Sequence, residues 1–141
     1  MRLDLIGDPG VVVSGTASDS HTWNLVYLQL LLEELGRRVH NLGPCVPDDL
    51  LVDRCARLRP AMVVLSSVNG HGATDGLRVI GPLRAQLTGT PIVIGGKLGI
   101  AGTGGHAARL RAAGFDEVFE EGAGLDAFRA LVAALPIGAG R

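Results

Sequence analysis

The sequence lacks the features that define several large classes of protein. It contains only two cysteines, Cys45 and Cys55, and they do not form a CxxC motif. The amino terminus has no basic segment followed by a long apolar core, which argues against a signal peptide. Few cysteines and no signal together predict reduced thiols in a cytoplasmic protein.

Charge and hydropathy argue against two further classes of partner. The 13 Lys and Arg residues and 14 Asp and Glu residues give a net charge of -1 without a cationic run, so nucleic-acid binding is not expected. The apolar stretches are short and broken by glycine or charge, so no membrane span is expected.

No Walker loop, GxSxG or HExxH motif is present. We expect a single domain, 1–141, with its core within about 11–135.

Short apolar runs alternate with helix-length segments along the whole chain. The runs are rich in Val and Ile and predict buried strands at 11–14, 39–42, 61–65, 91–94 and 115–119. The segments between them predict helices at 25–35, 48–58, 77–87, 106–113 and 125–135. Five such units predict a flavodoxin-like (Rossmann-like) α/β fold, a doubly wound five-stranded parallel sheet in the order 2-1-3-4-5. Residues 1–10 are expected to form a loose lead-in, and residues 137–141 a frayed tail.

Three loops with unusual residues follow the first, third and fourth predicted strands. They contain Asp19-Ser20-His21, the segment 66–72 and the segment 95–99. These strands are neighbours in the expected order, so the loops should line one crevice at the carboxyl edge of the sheet. A histidine with a carboxylate nearby to hold its second ring nitrogen is typical of a metal ligand. The alternative is that Asp19 caps the next helix and His21 merely lies beside it.

The three loops carry motifs that resemble those of the cobalamin-binding domain family, and within it the small subunit of glutamate mutase. The family pattern is DxHxxG, then SxL or SxV, then GG. The chain has Asp19-Ser20-His21-Thr22-Trp23-Asn24, then Ser66-Ser67-Val68, then Gly95-Gly96. The resemblance extends from about residue 11 to the last helix. The compact length also resembles that of the free small subunit.

The resemblance implies a role for each motif. His21 would be the lower axial ligand of cobalt, with Asp19 bonded to its other ring nitrogen. The nucleotide tail of the cofactor would run into the sheet beside Ser66 and over the glycine pair. The cofactor-binding residues implied or considered are Asp19, Ser20, His21, Thr22, Asn24, Ser66, Val68, Gly70, Gly95, Gly96 and Lys97.

The resemblance also implies a function. The chain would bind adenosylcobalamin as one component of a carbon-skeleton mutase that converts L-glutamate to 3-methylaspartate, an isomerase. The catalytic residues and the substrate pocket would belong to a larger barrel-type subunit. The alternative is a corrinoid carrier for methyl transfer. A receiver domain or an FMN-binding relative is a third class, but Ser66-Ser67 stands where a receiver needs its phosphoacceptor Asp.

One position departs from the family pattern. Asn24 stands where the motif has glycine. It could cap the first helix, narrow the cofactor channel, alter the path of the nucleotide tail, or mark a binder whose histidine no longer ligates cobalt. Among other candidates, His71 is interpreted as a corrin, partner or solvated loop residue, and Asp75 as a helix cap. The cysteines are interpreted as packing thiols, and most of the arginines, Arg37 included, as solvated.

Overall fold

The computed structural model describes residues 8–98, 105–120 and 124–136. Five strands alternate with five helices in this part of the chain. The strands are β1 Val11–Gly15, β2 Val39–Gly43, β3 Met62–Ser67, β4 Ile92–Gly96 and β5 Glu117–Glu120. The helices are α1 Trp23–Glu34, α2 Asp48–Leu58, α3 Gly72–Gln86, α4 His106–Ala113 and α5 Asp126–Ala133.

The strands form one parallel sheet in the order β2-β1-β3-β4-β5, which confirms the predicted flavodoxin-like fold. Successive side chains of a strand point to opposite faces, so each central strand contributes to two apolar layers. On one face, residues such as Val63 and Leu65 pack against α2, α3 and α4. On the other face, Met62 and Val64 pack against α1 and α5. The candidate site lies at the edge of this second layer.

Most predicted boundaries lie within two or three residues of the observed ones. Helix α3 is the exception, since it begins at Gly72, five residues before the predicted start. Its first turn contains small and polar residues that are buried, so hydropathy alone does not reveal it. A Cβ at Gly72 would lie 2.7 Å from Leu98 and 2.9 Å from Ser67. Close packing against the ends of β3 and β4 therefore fixes this turn and requires a residue without a side chain.

The expected loose lead-in is wrong for residues 8–10. Asp8 is buried and accepts hydrogen bonds from Nε and Nη2 of Arg37 at 3.0 and 2.9 Å. Arg37 is also buried and bonds the carbonyl oxygen of Leu135, so the expected solvated role is wrong for it. The pair connects the start of β1, the α1–β2 turn and the end of α5. The predicted tail at 137–141 lies outside the described residues, as does Gly99.

The two cysteines differ in environment. Cys55 is a buried core thiol, and burial raises its pKa to about 12. Cys45 is exposed, at a φ of 51°, so the predicted packing role is wrong for this residue. Within the described part of the chain, no helix is long and apolar enough to cross a membrane.

Candidate functional site

The carboxyl ends of three adjacent strands bring the predicted loops together. Gly15 at the end of β1 pairs with Ser66 of β3, and Ser66 pairs with Gly95 of β4. The loop that carries Asp19 and His21 follows β1 directly and leads into α1. The crevice expected from the sequence is therefore present at this edge of the sheet.

Asp19 and His21 form a hydrogen-bonded pair. Oδ1 of Asp19 lies 2.7 Å from Nδ1 of His21 and also accepts the backbone N–H of His21 at 2.9 Å. Oδ2 of Asp19 accepts the backbone N–H of Val68 at 2.5 Å. The Asp19 side chain is 1% exposed, whereas that of His21 is 56% exposed. A buried carboxylate thus orients an imidazole whose outer part faces solvent.

The charge of Asp19 determines which nitrogen of His21 is free. Burial by itself would raise the pKa of Asp19, but hydrogen bonds from the backbone N–H groups of His21 and Val68 keep that pKa below its usual value. An ionised carboxylate can only accept hydrogen bonds, so Nδ1 must carry the hydrogen. In the neutral imidazole, Nε2 then has the free lone pair. The arrangement is that of a single nitrogen ligand oriented by a second residue.

Two polar side chains that the sequence did not reveal hold the β1–α1 loop. Asp75 accepts the backbone N–H of Ser18 at 3.1 Å and its hydroxyl at 2.6 Å. Nδ2 of Asn69 donates to the carbonyl oxygen of Ser18 at 3.1 Å. Asp75 lies inside the first turn of α3 and is buried, so its predicted role as a helix cap is wrong. It is a support for the loop that presents His21.

An apolar cavity of about 240 Å³ lies between the sheet and the helices α1 and α5. Its inner wall includes Val64, Val93 and Phe128, which belong to the α1–α5 apolar layer. Its outer part is lined by residues predicted from the motifs, namely Asn24, Ser66, Val68, Gly95 and Gly96. A group inserted at the crevice could extend from the polar edge into this apolar space.

The two motif glycines serve different purposes. At Gly96, φ is +111° and a Cβ would lie 2.0 Å from the carbonyl oxygen of Ser67, so the backbone itself requires glycine. Gly95 has no positive φ, and a Cβ there would lie 3.1 Å from the carbonyl oxygen of Phe119. Gly95 pairs with Ser66 and lines the cavity, so a side chain at this position would crowd Phe119 at the cavity wall.

Asn24 occupies the outer part of the cavity rather than a capping position. The N-cap of α1 is Thr22, and Asn24 is the second helical residue, so the suggested capping role is wrong. Its Nδ2 donates to Oγ of Ser66 at 2.5 Å. The side chain therefore reaches from α1 to β3 across the space that a glycine would leave open.

The remaining predicted residues lie around the rim. Ser20, Thr22, His71 and Lys97 are exposed, and Gly70 donates its N–H to the carbonyl oxygen of Lys97 at 3.2 Å. No group of three or more potential metal-ligating residues occurs among the described residues. The site thus offers one oriented imidazole, which suits a metal whose other ligands come from a macrocycle.

Comparison with known proteins identifies the family. The model of the B12 binding domain matches residues 9–132. A search of curated proteins finds no match.

Among solved structures, a novel cobalamin-binding protein from Desulfitobacterium hafniense is 23% identical, with a TM-score of 0.65, over 80% of this chain and 53% of that one. The methanol:cobalamin methyltransferase complex MtaBC from Methanosarcina barkeri is 22% identical, with a TM-score of 0.64, over 94% of this chain and 50% of that one. This chain thus spans about half the length of both. The receiver domain of NtrC4 from Aquifex aeolicus has a TM-score of 0.61 at 17% identity, over 87% of this chain and 93% of the domain. These similarities show the fold, and the family match shows the type of domain: the chain belongs to the B12 binding domain family.

Proposed function

We propose that this chain binds cobalamin with His21 as the lower axial ligand of cobalt. The observation that supports the proposal is the Asp19–His21 pair, because a buried carboxylate on Nδ1 leaves Nε2 free in an exposed position. The apolar cavity beside the pair would receive the nucleotide tail that such binding displaces from cobalt. Ser66, Val68 and Gly95 would line the path of that tail.

We further propose that the bound form is adenosylcobalamin and that the chain serves a carbon-skeleton mutase. Adenosylcobalamin supplies a carbon-centred radical when its cobalt–carbon bond breaks homolytically. The role of this chain would be to bind the cofactor, orient it through His21 and exclude water from the cavity. The motifs resemble those of the glutamate mutase small subunit, which supports the conversion of L-glutamate to 3-methylaspartate as the reaction.

A catalytic partner is part of this proposal. The crevice is open, and the residues described around it include no cluster of cations that could bind a substrate with two carboxylates. Helix α1 presents an uncharged, exposed stripe beside the site, in which Trp23 is 84% exposed and Tyr27 and Leu30 are also exposed. Exposed apolar patches of this kind mark interaction surfaces. A larger barrel-type subunit would cover the reacting face of the cofactor and contact the loops at Trp23 and His71.

A second candidate is a corrinoid carrier for methyl transfer. MtaBC is a methyltransferase complex, and another protein of the same fold is the monomethylamine corrinoid protein of Methanosarcina barkeri. An oriented histidine and a tail cavity would serve either role. The two candidates differ in the group that cobalt carries on the face opposite His21, adenosyl or methyl, and in the catalytic partner.

The axial ligand can be tested by electron paramagnetic resonance of the cob(II)alamin complex. One axial nitrogen should split the cobalt lines into triplets, and labelling the protein with nitrogen-15 should convert them to doublets. His21→Ala should abolish this change and weaken binding. His40→Ala is the matched control, because Nε2 of His40 bonds the carbonyl oxygen of Pro9, away from the crevice. Splitting that is insensitive to the label would disprove ligation by His21.

The partner can be tested by reconstitution. The chain, adenosylcobalamin and a large glutamate mutase subunit should together isomerise glutamate, whereas the chain with cofactor alone should not. The same chain with methylcobalamin and a corrinoid methyltransferase is the comparison. Methyl transfer without isomerisation would reject the proposed role in a mutase and support the role of a corrinoid carrier.

A further inference from the structure

A hydrogen bond joins two residues that line the outer part of the cavity. Nδ2 of Asn24 donates to Oγ of Ser66 at 2.5 Å, and both residues line the cavity. Val64 lies two residues before Ser66 on β3, about 7 Å deeper along the strand. Leu28 lies about one turn further along α1 than Asn24. The Asn24–Ser66 bridge therefore joins helix to sheet between the inner cavity and the edge.

In the bridge, only the nitrogen of the Asn24 side-chain amide has a hydrogen-bond partner. Oδ1 of Asn24 is buried and has no hydrogen-bond partner among the residues that the structure describes. A buried acceptor without a partner disfavours the closed arrangement. The bridge can therefore open when a ligand replaces it, at the cost of no more than one net hydrogen bond.

His21 lies outside the cavity. It is not among the lining residues, and its ring is more than half exposed. A ligand could thus reach Nε2 of His21 without disturbing the bridge, whereas a group that enters the cavity between α1 and Ser66 meets the Asn24 side chain. The two parts of the site can be occupied separately.

We propose that the Asn24–Ser66 bridge is a gate that discriminates between corrinoids by their nucleotide tail. This inference rests on the proposed function, since it assumes a corrinoid at His21. A corrinoid with a tail must break the bridge, and one without a tail leaves it closed. Asn24 is then a specificity-determining residue that lowers the affinity for tailed corrinoids.

The test compares two corrinoids on two variants. Hydroxocobalamin has the tail, and diaquocobinamide lacks it. Asn24→Ala removes the bridge and favours the helix, so the folded state should be retained. Gln29→Ala is the matched control, because it removes an amide from the same helix at a position that does not line the cavity. Dissociation constants from visible spectra and association rates from stopped flow are the measurements.

Asn24→Ala should bind hydroxocobalamin more tightly than the wild type, by up to about fivefold, the equivalent of one net hydrogen bond of about 1 kcal/mol. It should bind diaquocobinamide with unchanged affinity, and Gln29→Ala should change neither. Equal changes for both corrinoids, or no change for either, would overturn the gate. Weaker binding of hydroxocobalamin by Asn24→Ala would also overturn it and show that Asn24 is a ligand contact. A wild-type chain that binds neither corrinoid would reject the proposed function and the gate together. The three contrary results above would reject the gate and leave the proposed function standing.

Discussion

Asp19→Asn would remove one charge from the site and almost no volume, so its effects follow from hydrogen bonding. Oδ1 of Asp19 faces the backbone N–H and Nδ1 of His21, and Oδ2 faces the backbone N–H of Val68. An amide offers one acceptor oxygen and one donor group. In either orientation, therefore, one backbone N–H must face the N–H groups of the new side chain.

The expected loss of stability follows from the number of hydrogen bonds that Asp19→Asn removes. At least one charge-assisted hydrogen bond is lost in a side chain that is 1% exposed, which corresponds to about 1.5–3 kcal/mol. In one orientation the amide donates to Nδ1, so the hydrogen of the neutral His21 ring moves to Nε2 and blocks the ligand position. Loss of such an orienting residue typically lowers metal affinity about 10–100-fold. We expect both losses in Asp19→Asn.

Two measurements can be made without cofactor. Urea unfolding gives the stability loss, and two-bond ¹⁵N–¹H spectra of the imidazole at alkaline pH give the tautomer. The wild type should show hydrogen on Nδ1 of His21, and Asp19→Asn should show a mixture. The control is Asp53→Asn, because Asp53 forms an exposed ion pair with Arg57, worth about 1 kcal/mol or less. Identical tautomers and equal stability in wild type and Asp19→Asn would refute the reasoning.

The pH dependence has a defined sign. The folded-state pKa of Asp19 is lowered, because backbone hydrogen bonds outweigh burial. Such a group stabilises the fold above its unfolded pKa of about 3.9, and this stability is lost as the pH falls through the folded pKa. The wild type should therefore lose stability below about pH 4. Asp19→Asn should lose less over that range.

Two further substitutions test the supports of the site and the fold by urea unfolding. Gly96→Ala should cost about 3 kcal/mol or more, because a positive φ coincides with a clash against a neighbouring carbonyl oxygen, whereas Gly43→Ala, at φ +92° in open space, should cost only about 1–2 kcal/mol. Equal losses would contradict the role given to the clash. Arg37→Ala should cost about 3–5 kcal/mol, because it leaves the buried Asp8 carboxylate unpaired, and the exposed Arg38→Ala should stay within about 0.5 kcal/mol. If both arginine variants were equally stable, the buried pair would contribute nothing.

The fold could be predicted because its signals are local. The three central strands are short, buried apolar runs rich in Val or Ile, and each boundary has a glycine, proline or polar residue close by. The prediction of buried strands is wrong for the edge strands β2 and β5, which are only partly buried because each has a neighbouring strand on one side only. The contact between Asp19 and His21 was also local, since two residues in one loop can meet whatever the rest of the chain does. Patterns within a few residues therefore predicted the architecture and the centre of the site.

The supports of the site depend on contacts distant in sequence. Asp75 reaches Ser18 across 57 residues, and Asn24 reaches Ser66 across 42. The position of Asp75 in the sequence does not by itself distinguish a buried loop support from a helix cap, because both are acidic residues at the start of a helix. An Asp in a helix that follows a ligand loop, among small residues, is the one signal that could have suggested it.

The fold alone could not have decided between a cobalamin domain and a receiver domain. Both kinds of protein match this chain with similar TM-scores, 0.65 and 0.61. The distinction lies in where the carboxylate is and what it does. Here β3 ends in Ser66 and Ser67, and the buried carboxylate of Asp19 in the β1 loop orients an imidazole. A carboxylate with that task supports a metal ligand rather than a phosphoacceptor, so a few loop residues determine which function this edge of the sheet can perform.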